Sequence, residues 1–331
     1  MLAGEARPAV PAWTLAELDT ARELVYASMG PTPQLRWPLL GERCDAEVWV
    51  KHENHTPIGA FKLRGGVVYM DHLRRELPAA GGVLTATRGN HGQSVAFAAR
   101  EAGLPAVVVV PIGNSSEKNA AMRVLGAELI EHGHDFQAAY EFATGEAARR
   151  GLHLVPSFHP LLSLGIASYG LELFRAVEDI DTVYVPIGQG SGICALLGAR
   201  NALGVPTRVV GVVTENAAAY ALSFASGEPR STESADTIAD GLACRVAVPE
   251  AVELINRGAE RIVTVSEGEI RAAMRHYFTD THNVAEGAGA APLAALLKER
   301  DEMAGKRVAL VLSGGNVDRP VFADVLAEDD G

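Results

Sequence analysis

Cysteine is scarce in this sequence. Its 331 residues include three, Cys44, Cys194 and Cys244, widely separated and without a CxxC pair. That spacing argues against a disulfide framework and a structural zinc site. Aromatic residues are also few, at 6%, and none is interleaved with a basic run. Positive charge is in deficit: 29 Lys and Arg face 41 Asp and Glu, for a net charge of −12. The electrostatic footprint of a phosphate-backbone binder is absent, so nucleic acid is not an expected partner. Long apolar runs are missing as well. The longest candidates, such as Ala106–Pro111, are strand-sized, so no membrane association is expected. The opening MLAGEARPAVPAW has no basic segment followed by an apolar one, and Glu5, Glu17 and Asp19 interrupt any amphipathic presequence. A cytoplasmic location is the expectation.

What the chain does have is length for about two lobes, a 48% hydrophobic fraction and 34 glycines. The apolar runs are short and rich in Val and Leu: Val48–Val50, Val83–Ala86, Ala106–Val110, Leu129–Ile130, Val183–Pro186, Val209–Val213, Ile262–Val265 and Val308–Leu312. Near-continuous runs of this kind suit parallel strands buried on both faces. Helix-period segments lie between them: Gln93–Arg100, Ser116–Leu125 before Gly126, Ile193–Leu203 before Gly204, Glu267–Tyr277 and Ala290–Arg300. The alternation predicts an α/β protein. No repeat or linker separates the lobes, so they must interleave along the chain with a cleft between them. Ligands in such sheets sit beyond the carboxyl ends of the strands.

Three strand-to-helix loops carry unusual residues. In His52–Gly66, HENHTPIGAFKLRGG, Lys62 falls in the first turn of a helix starting around Ala60. Desolvation and the helix dipole both lower a lysine pKa there, and such a lysine can form Schiff bases. The plainer alternative is a solvated Lys62 beside an ordinary surface Arg64. Thr85–Ser94, TATRGNHGQS, crowds polar groups into a glycine-containing turn before a helix, a place suited to a carboxylate. The alternative is a capped turn with Asn90 as its left-handed residue. Pro186–Ile193, PIGQGSGI, alternates glycines with small or polar residues and could wrap its N–H groups around a phosphate. It lacks the Lys-Ser/Thr ending of a Walker loop. A fourth segment, Leu310–Asp318, reads LVLSGGNVD.

In this order, the four segments resemble the fold-type II pyridoxal-phosphate enzymes, most closely the threonine/serine dehydratase and serine racemase branch. The resemblance runs from Pro31-Thr32-Pro33 to Asp318 and takes in Ser115–Ala127 (SSEKNAAMRVLGA), Thr237–Leu242 (TIADGL) and Val284–Ala291 (VAEGAGAA). It implies a tryptophan-synthase β-like fold of two interleaved open parallel-sheet domains. The larger would span 1–81 and 159–331, the smaller 82–158, with the active site in the cleft between them. Pyridoxal 5′-phosphate would be the cofactor, held by Lys62, which would also move the Cα proton. Phe61 would pack on the pyridine ring and Asn90 would hydrogen-bond its 3-oxygen. Gly188, Gln189, Gly190, Ser191 and Gly192 would bind the phosphate, and Ser313 would face the pyridine nitrogen. Thr87, Gly89, Asn90 and His91 would hold the substrate carboxylate. Gly241 and Glu286 would lie near the ring and the substrate amine.

The reaction implied is dehydration and deamination of a β-hydroxy amino acid to a 2-oxo acid and ammonia. A hydroxyl at Ser313 leaves the ring nitrogen close to neutral, which suits prompt loss of a β-leaving group. The branch alternatives are a racemase or a β-replacement enzyme, and outside catalysis a cofactor carrier. The sequence departs from the family pattern at two places. Gln189 and Ser191 stand where relatives commonly carry glycines; Gln189 is expected to point away from the phosphate. Arg88 occupies the place of a racemase serine and is a poor acid or base there. It would instead bind a carboxylate, cover an aromatic substituent, or pair with a local acid. No metal is expected, because Val213 and Ala219 fall where some relatives carry cation-binding acids. The chain ends thirteen residues after Asp318, so no regulatory domain is expected there, and a catabolic role is the more natural expectation. Relatives of this kind are usually homodimers or homotetramers.

Overall fold

The computed structural model describes residues 13–329. The stretch 1–12, read above as lacking a leader, lies outside the described residues. The chain forms two sheets. The larger has six strands in the order β1-β2-β10-β7-β8-β9: β1 Gln34–Arg36, β2 Glu47–His52, β7 Thr182–Pro186, β8 Arg208–Thr214, β9 Arg261–Val265 and β10 Arg307–Leu312. The smaller has four, in the order β5-β4-β3-β6: β3 Val83–Ala86, β4 Ala106–Val110, β5 Glu128–Glu131 and β6 His153–Leu154. Every pairing is parallel except β1 with β2.

Both sheets are buried on two faces, and the strand sequences dictate this. Val183, Val185, Val209, Ala309 and Val311 point into one core; Tyr184, Val210, Val308, Leu310 and Leu312 point into another on the opposite face. The period of two in the pleat divides one apolar run between two cores. The small sheet repeats the pattern, with Val83, Val108 and Val110 on one face and Leu84, Ala86, Val107 and Val109 on the other.

We propose 1–81 with 159–331, and 82–158, as the bounds of the two lobes. All four small-sheet strands fall within the second range. Packing ties the lobes together across that boundary: the helix Lys62–Glu76 contributes Tyr69, Met70 and Leu73 to the small sheet's core, and the helix Pro160–Ala176 contributes Leu162. The carboxyl ends of β3, β7 and β10 converge at this junction. They feed the helix Asn90–Glu101, the helix Ser191–Leu203 and the Ser313 turn.

Candidate active site

A cavity of about 130 Å³ lies at that junction, and each of the fifteen site residues singled out above lines it: Phe61, Lys62, Thr87–His91, Gly188–Gly192, Gly241, Glu286 and Ser313. They come from six separate stretches of chain.

Lys62 is the first residue of its helix and half-buried. Its Nζ donates to Ser191 Oγ at 2.9 Å and lies 5.1 Å from the centre of the Phe61 ring. Burial pulls the Lys62 amine down to about 8. Desolvation penalises the ammonium, so the neutral, nucleophilic form is accessible near neutral pH. The solvated surface alternative for Lys62 and Arg64 is therefore corrected, because Arg64 is fully buried. Its guanidinium donates to Glu53 Oε2 at 2.7 Å and to Glu172 Oε1 at 2.6 Å, and Lys51 Nζ reaches Glu172 Oε2 at 2.5 Å. This four-charge cluster anchors the turn that carries Lys62 against β2 and the Pro160 helix. Sequence reasoning missed it, since Glu172 stands more than a hundred residues from Lys51, Glu53 and Arg64 and only contacts bring the four together.

The Thr87–His91 turn is organised by Thr87, whose hydroxyl accepts from the backbone N–H groups of Gly89 at 2.9 Å and Gly92 at 3.2 Å. A side chain on Gly89 would strike the Lys118 stem, its Cβ lying 2.7 Å from Cδ. Asn90 is the first residue of its helix and is not among the residues with positive φ. The left-handed turn considered for it is thus corrected: the helix needs an ordinary φ at its first position. Its Nδ2 donates to Glu286 Oε1 at 2.8 Å and its Oδ1 accepts from Asn316 Nδ2 at 2.8 Å, so it joins the two lobes. Burial pushes the Glu286 carboxyl up to about 7. His91 is buried, its Nε2 has no partner among the described residues, and burial holds the ring down to about 3, so it is neutral at physiological pH.

The glycine loop follows β7. Gly190, at φ +90°, caps the Ser191 helix without a side-chain bond, a conformation that favours glycine. The first-turn amides are left without a side-chain cap. Gln189 Nε2 donates to Cys244 Sγ at 3.2 Å, so this side chain turns toward Cys244, and Tyr220 Oη donates to the Gln189 carbonyl at 2.9 Å. A Cβ on Gly188 would stand 2.1 Å from the Gly241 carbonyl oxygen. Ser313 is buried at the end of β10.

Arg88 pairs with Asp240 Oδ1 at 3.1 Å, and Lys118 reaches Asp240 Oδ2 at 2.8 Å. Of the three fates weighed for Arg88, the pairing with an acid is the one present, and that acid belongs to the other lobe. Asp240 and Lys118 were not singled out beforehand. Both lie inside stretches that carried the resemblance, TIADGL and SSEKNAAM, but a stretch does not say which of its charges meet across a cleft.

Residues 25–314 match the model of the family described as pyridoxal-phosphate dependent enzyme. The chain belongs to the pyridoxal-phosphate-dependent enzymes. It is 34% identical over 306 residues to an L-threonine ammonia-lyase of Thermotoga maritima, covering 92% of this chain and 76% of the relative. It is 33% identical to the catabolic L-threonine dehydratase of Escherichia coli K12, covering 91% of this chain and 92% of that one. The chain spans 58% of the length of the biosynthetic L-threonine dehydratases of Haemophilus influenzae and Escherichia coli that it matches. Its structure superposes with a TM-score of 0.86 on a processed threonine deaminase of Solanum lycopersicum, at 26% identity, covering 99% of this chain and all of that one.

The residues present fit pyridoxal phosphate. An uncapped helix start behind a glycine-rich loop whose Gln189 side chain turns toward Cys244 meets the needs of a phosphate, Lys62 offers a nucleophilic amine, and the unpartnered His91 nitrogen and Asn90 amide supply polar groups. Two outcomes follow. Gly188→Ala drives a Cβ into a backbone oxygen and should weaken cofactor binding at least tenfold, ~1.4 kcal/mol, in a titration of cofactor-free protein. If, as we propose, the reacting species is the neutral Lys62 amine, covalent uptake of the cofactor should quicken about tenfold per pH unit as pH rises, then level off above about 8. A stopped-flow absorbance series across pH reads this.

Proposed function

We propose that this enzyme is an ammonia-lyase that eliminates water from a β-hydroxy amino acid such as threonine, serine or 3-phenylserine, yielding a 2-oxo acid and ammonia. The observation that carries this reading is the placement of the desolvated Lys62 amine between a glycine phosphate loop and the anion-binding turn at the Asn90 helix.

When bound, the cofactor supplies an electron sink that acidifies the substrate's Cα proton. The remaining work belongs to the chain. Backbone N–H groups of Gly188–Gly192 would hold the phosphate, with the Ser191 helix behind them. The Thr87–His91 turn holds the substrate carboxylate and fixes which bond at Cα faces Lys62. Lys62, with a pKa near 8, accepts the Cα proton at Nζ. Phe61 forms an apolar wall, itself held edge-on by Tyr169 at 6.3 Å between ring centres. Ser313, a hydroxyl at the end of β10, would not stabilise a positive charge on a ring nitrogen as a carboxylate would, which would favour departure of the β-hydroxyl. Glu286 is poised near neutrality to carry a proton beside Asn90.

Arg88 favours elimination over racemisation. Racemisation needs an acid or base on the second face of Cα, and a guanidinium paired with Asp240 is a poor one. We further propose a cytoplasmic homodimer or homotetramer; the support is kinship with threonine dehydratases. No helix among the described residues is long and apolar enough to cross a membrane. The test is an assay of the cofactor-loaded protein with threonine, serine and 3-phenylserine. Equal amounts of 2-oxo acid and ammonia are expected from at least one; ammonia from none overturns the reading.

A further inference from the structure

We infer that a second chamber beside the catalytic cavity receives the substrate's β-substituent, and that the substituent it suits is an aromatic ring. The inference rests on the proposed ammonia-lyase reading and specifies the substrate class of the same site.

The second chamber measures about 390 Å³, three times the cavity at Lys62. The two adjoin: Arg88, Phe136, Ser157, Gln189, Ala243 and Cys244 line both. Serine carries only a hydroxyl at its β-carbon and threonine one methyl more. Neither needs a chamber of this size.

The lining is aromatic. Phe136 and Tyr140 stand four residues apart in the helix Phe136–Arg150 and so share a face. Their ring centres are 6.1 Å apart with 27° between planes, and Phe158 joins them from the loop after β6. In a chain with only 6% aromatics, three at one chamber is a concentration. None of the three is fully buried in a core; each packs at a core's edge and keeps surface free.

Charge decides between an aromatic and an acidic substituent. Both arginines of the chamber already face carboxylates. Arg88 is paired with Asp240 at 3.1 Å, and Arg245 lies 3.8 Å from Asp135. An anionic substituent would meet those acids along with the arginines. An aromatic ring needs no free cation: it gains from stacking on Phe136 and from a guanidinium near its face. The chemistry is unchanged. A proton from Cα and the β-hydroxyl leave as water, one water then enters and ammonia leaves, so 3-phenylserine gives 2-oxo-3-phenylpropanoate with no oxidant.

The test compares kcat/KM of the cofactor-loaded enzyme for 3-phenylserine, threonine and 3-hydroxyaspartate. It also compares inhibition by phenylalanine and alanine, which lack a β-hydroxyl. We expect 3-phenylserine to exceed threonine at least tenfold, and phenylalanine to inhibit at about tenfold lower concentration than alanine. Phe136→Ala, or Tyr140→Ala if the first does not fold, should cut the phenylserine-to-threonine ratio about tenfold. A preference for threonine or 3-hydroxyaspartate, or variants that leave the ratio unmoved, overturns the inference while the ammonia-lyase reading stands. Ammonia from none of the three removes both.

Discussion

Lys62→Ala ends ammonia release and leaves no covalently held cofactor. The expected loss in kcat is at least about 10³-fold, because we propose that one amine both holds the cofactor and moves the Cα proton, and groups that act as a unit fail together. The fold should survive. Lys62 is the first residue of its helix and its side chain hydrogen-bonds only Ser191 among the described partners. Removing a desolvated amine costs little stability and relieves a burial penalty. The variant should therefore match the parent in a urea titration while losing the cofactor absorbance that otherwise survives gel filtration. A variant that keeps a tenth of the parental rate would contradict this assignment.

Arg64→Met should be the most destabilising single change near the site. The guanidinium is fully buried and is shared between Glu53 and Glu172. Taking it away leaves two buried carboxylates facing one Lys51 ammonium, and breaking a buried ion cluster from one side costs about 3–5 kcal/mol. Replacing the whole cluster with apolar residues would cost far less, since the penalty comes from the stranded charge rather than from the pairs themselves. Urea unfolding read by circular dichroism measures this. A loss under about 1 kcal/mol would mean that water or rearrangement compensates the acids. The functional consequence lies two residues away: Arg64 holds the turn that aims Lys62, so partly folded preparations should also bind cofactor poorly.

Much of this architecture is legible in the sequence because both sheets are doubly covered and, apart from the edge strand β1, parallel. Strands such as Val83–Ala86 and Val308–Leu312 then read as unbroken apolar runs, and glycines mark where they feed helices. The loops at Lys62, Thr87–His91 and Gly188–Gly192 could be found for the same reason. The edge strand Gln34–Arg36 could not: three residues of mixed polarity carry no period, and only pairing with β2 makes them a strand. The Lys51–Glu172–Arg64–Glu53 cluster was hidden because each member, read locally, is an ordinary charged residue. Asn90 is ambiguous because asparagine suits both a left-handed turn and a helix start, and only its backbone φ at the first helical position decides between them. Arg88 was recognised as unusual, but its partner Asp240 lies on the other lobe, beyond the reach of local pattern.

The central claim is that this cleft eliminates rather than racemises. One incubation tests it: L-threonine, L-serine and L-3-phenylserine, each with cofactor-loaded enzyme, followed for ammonia, 2-oxo acid and the configuration of the remaining substrate. The account predicts ammonia and 2-oxo acid in equal amounts, with residual substrate keeping its configuration at Cα. Inversion at Cα outpacing ammonia release would contradict it.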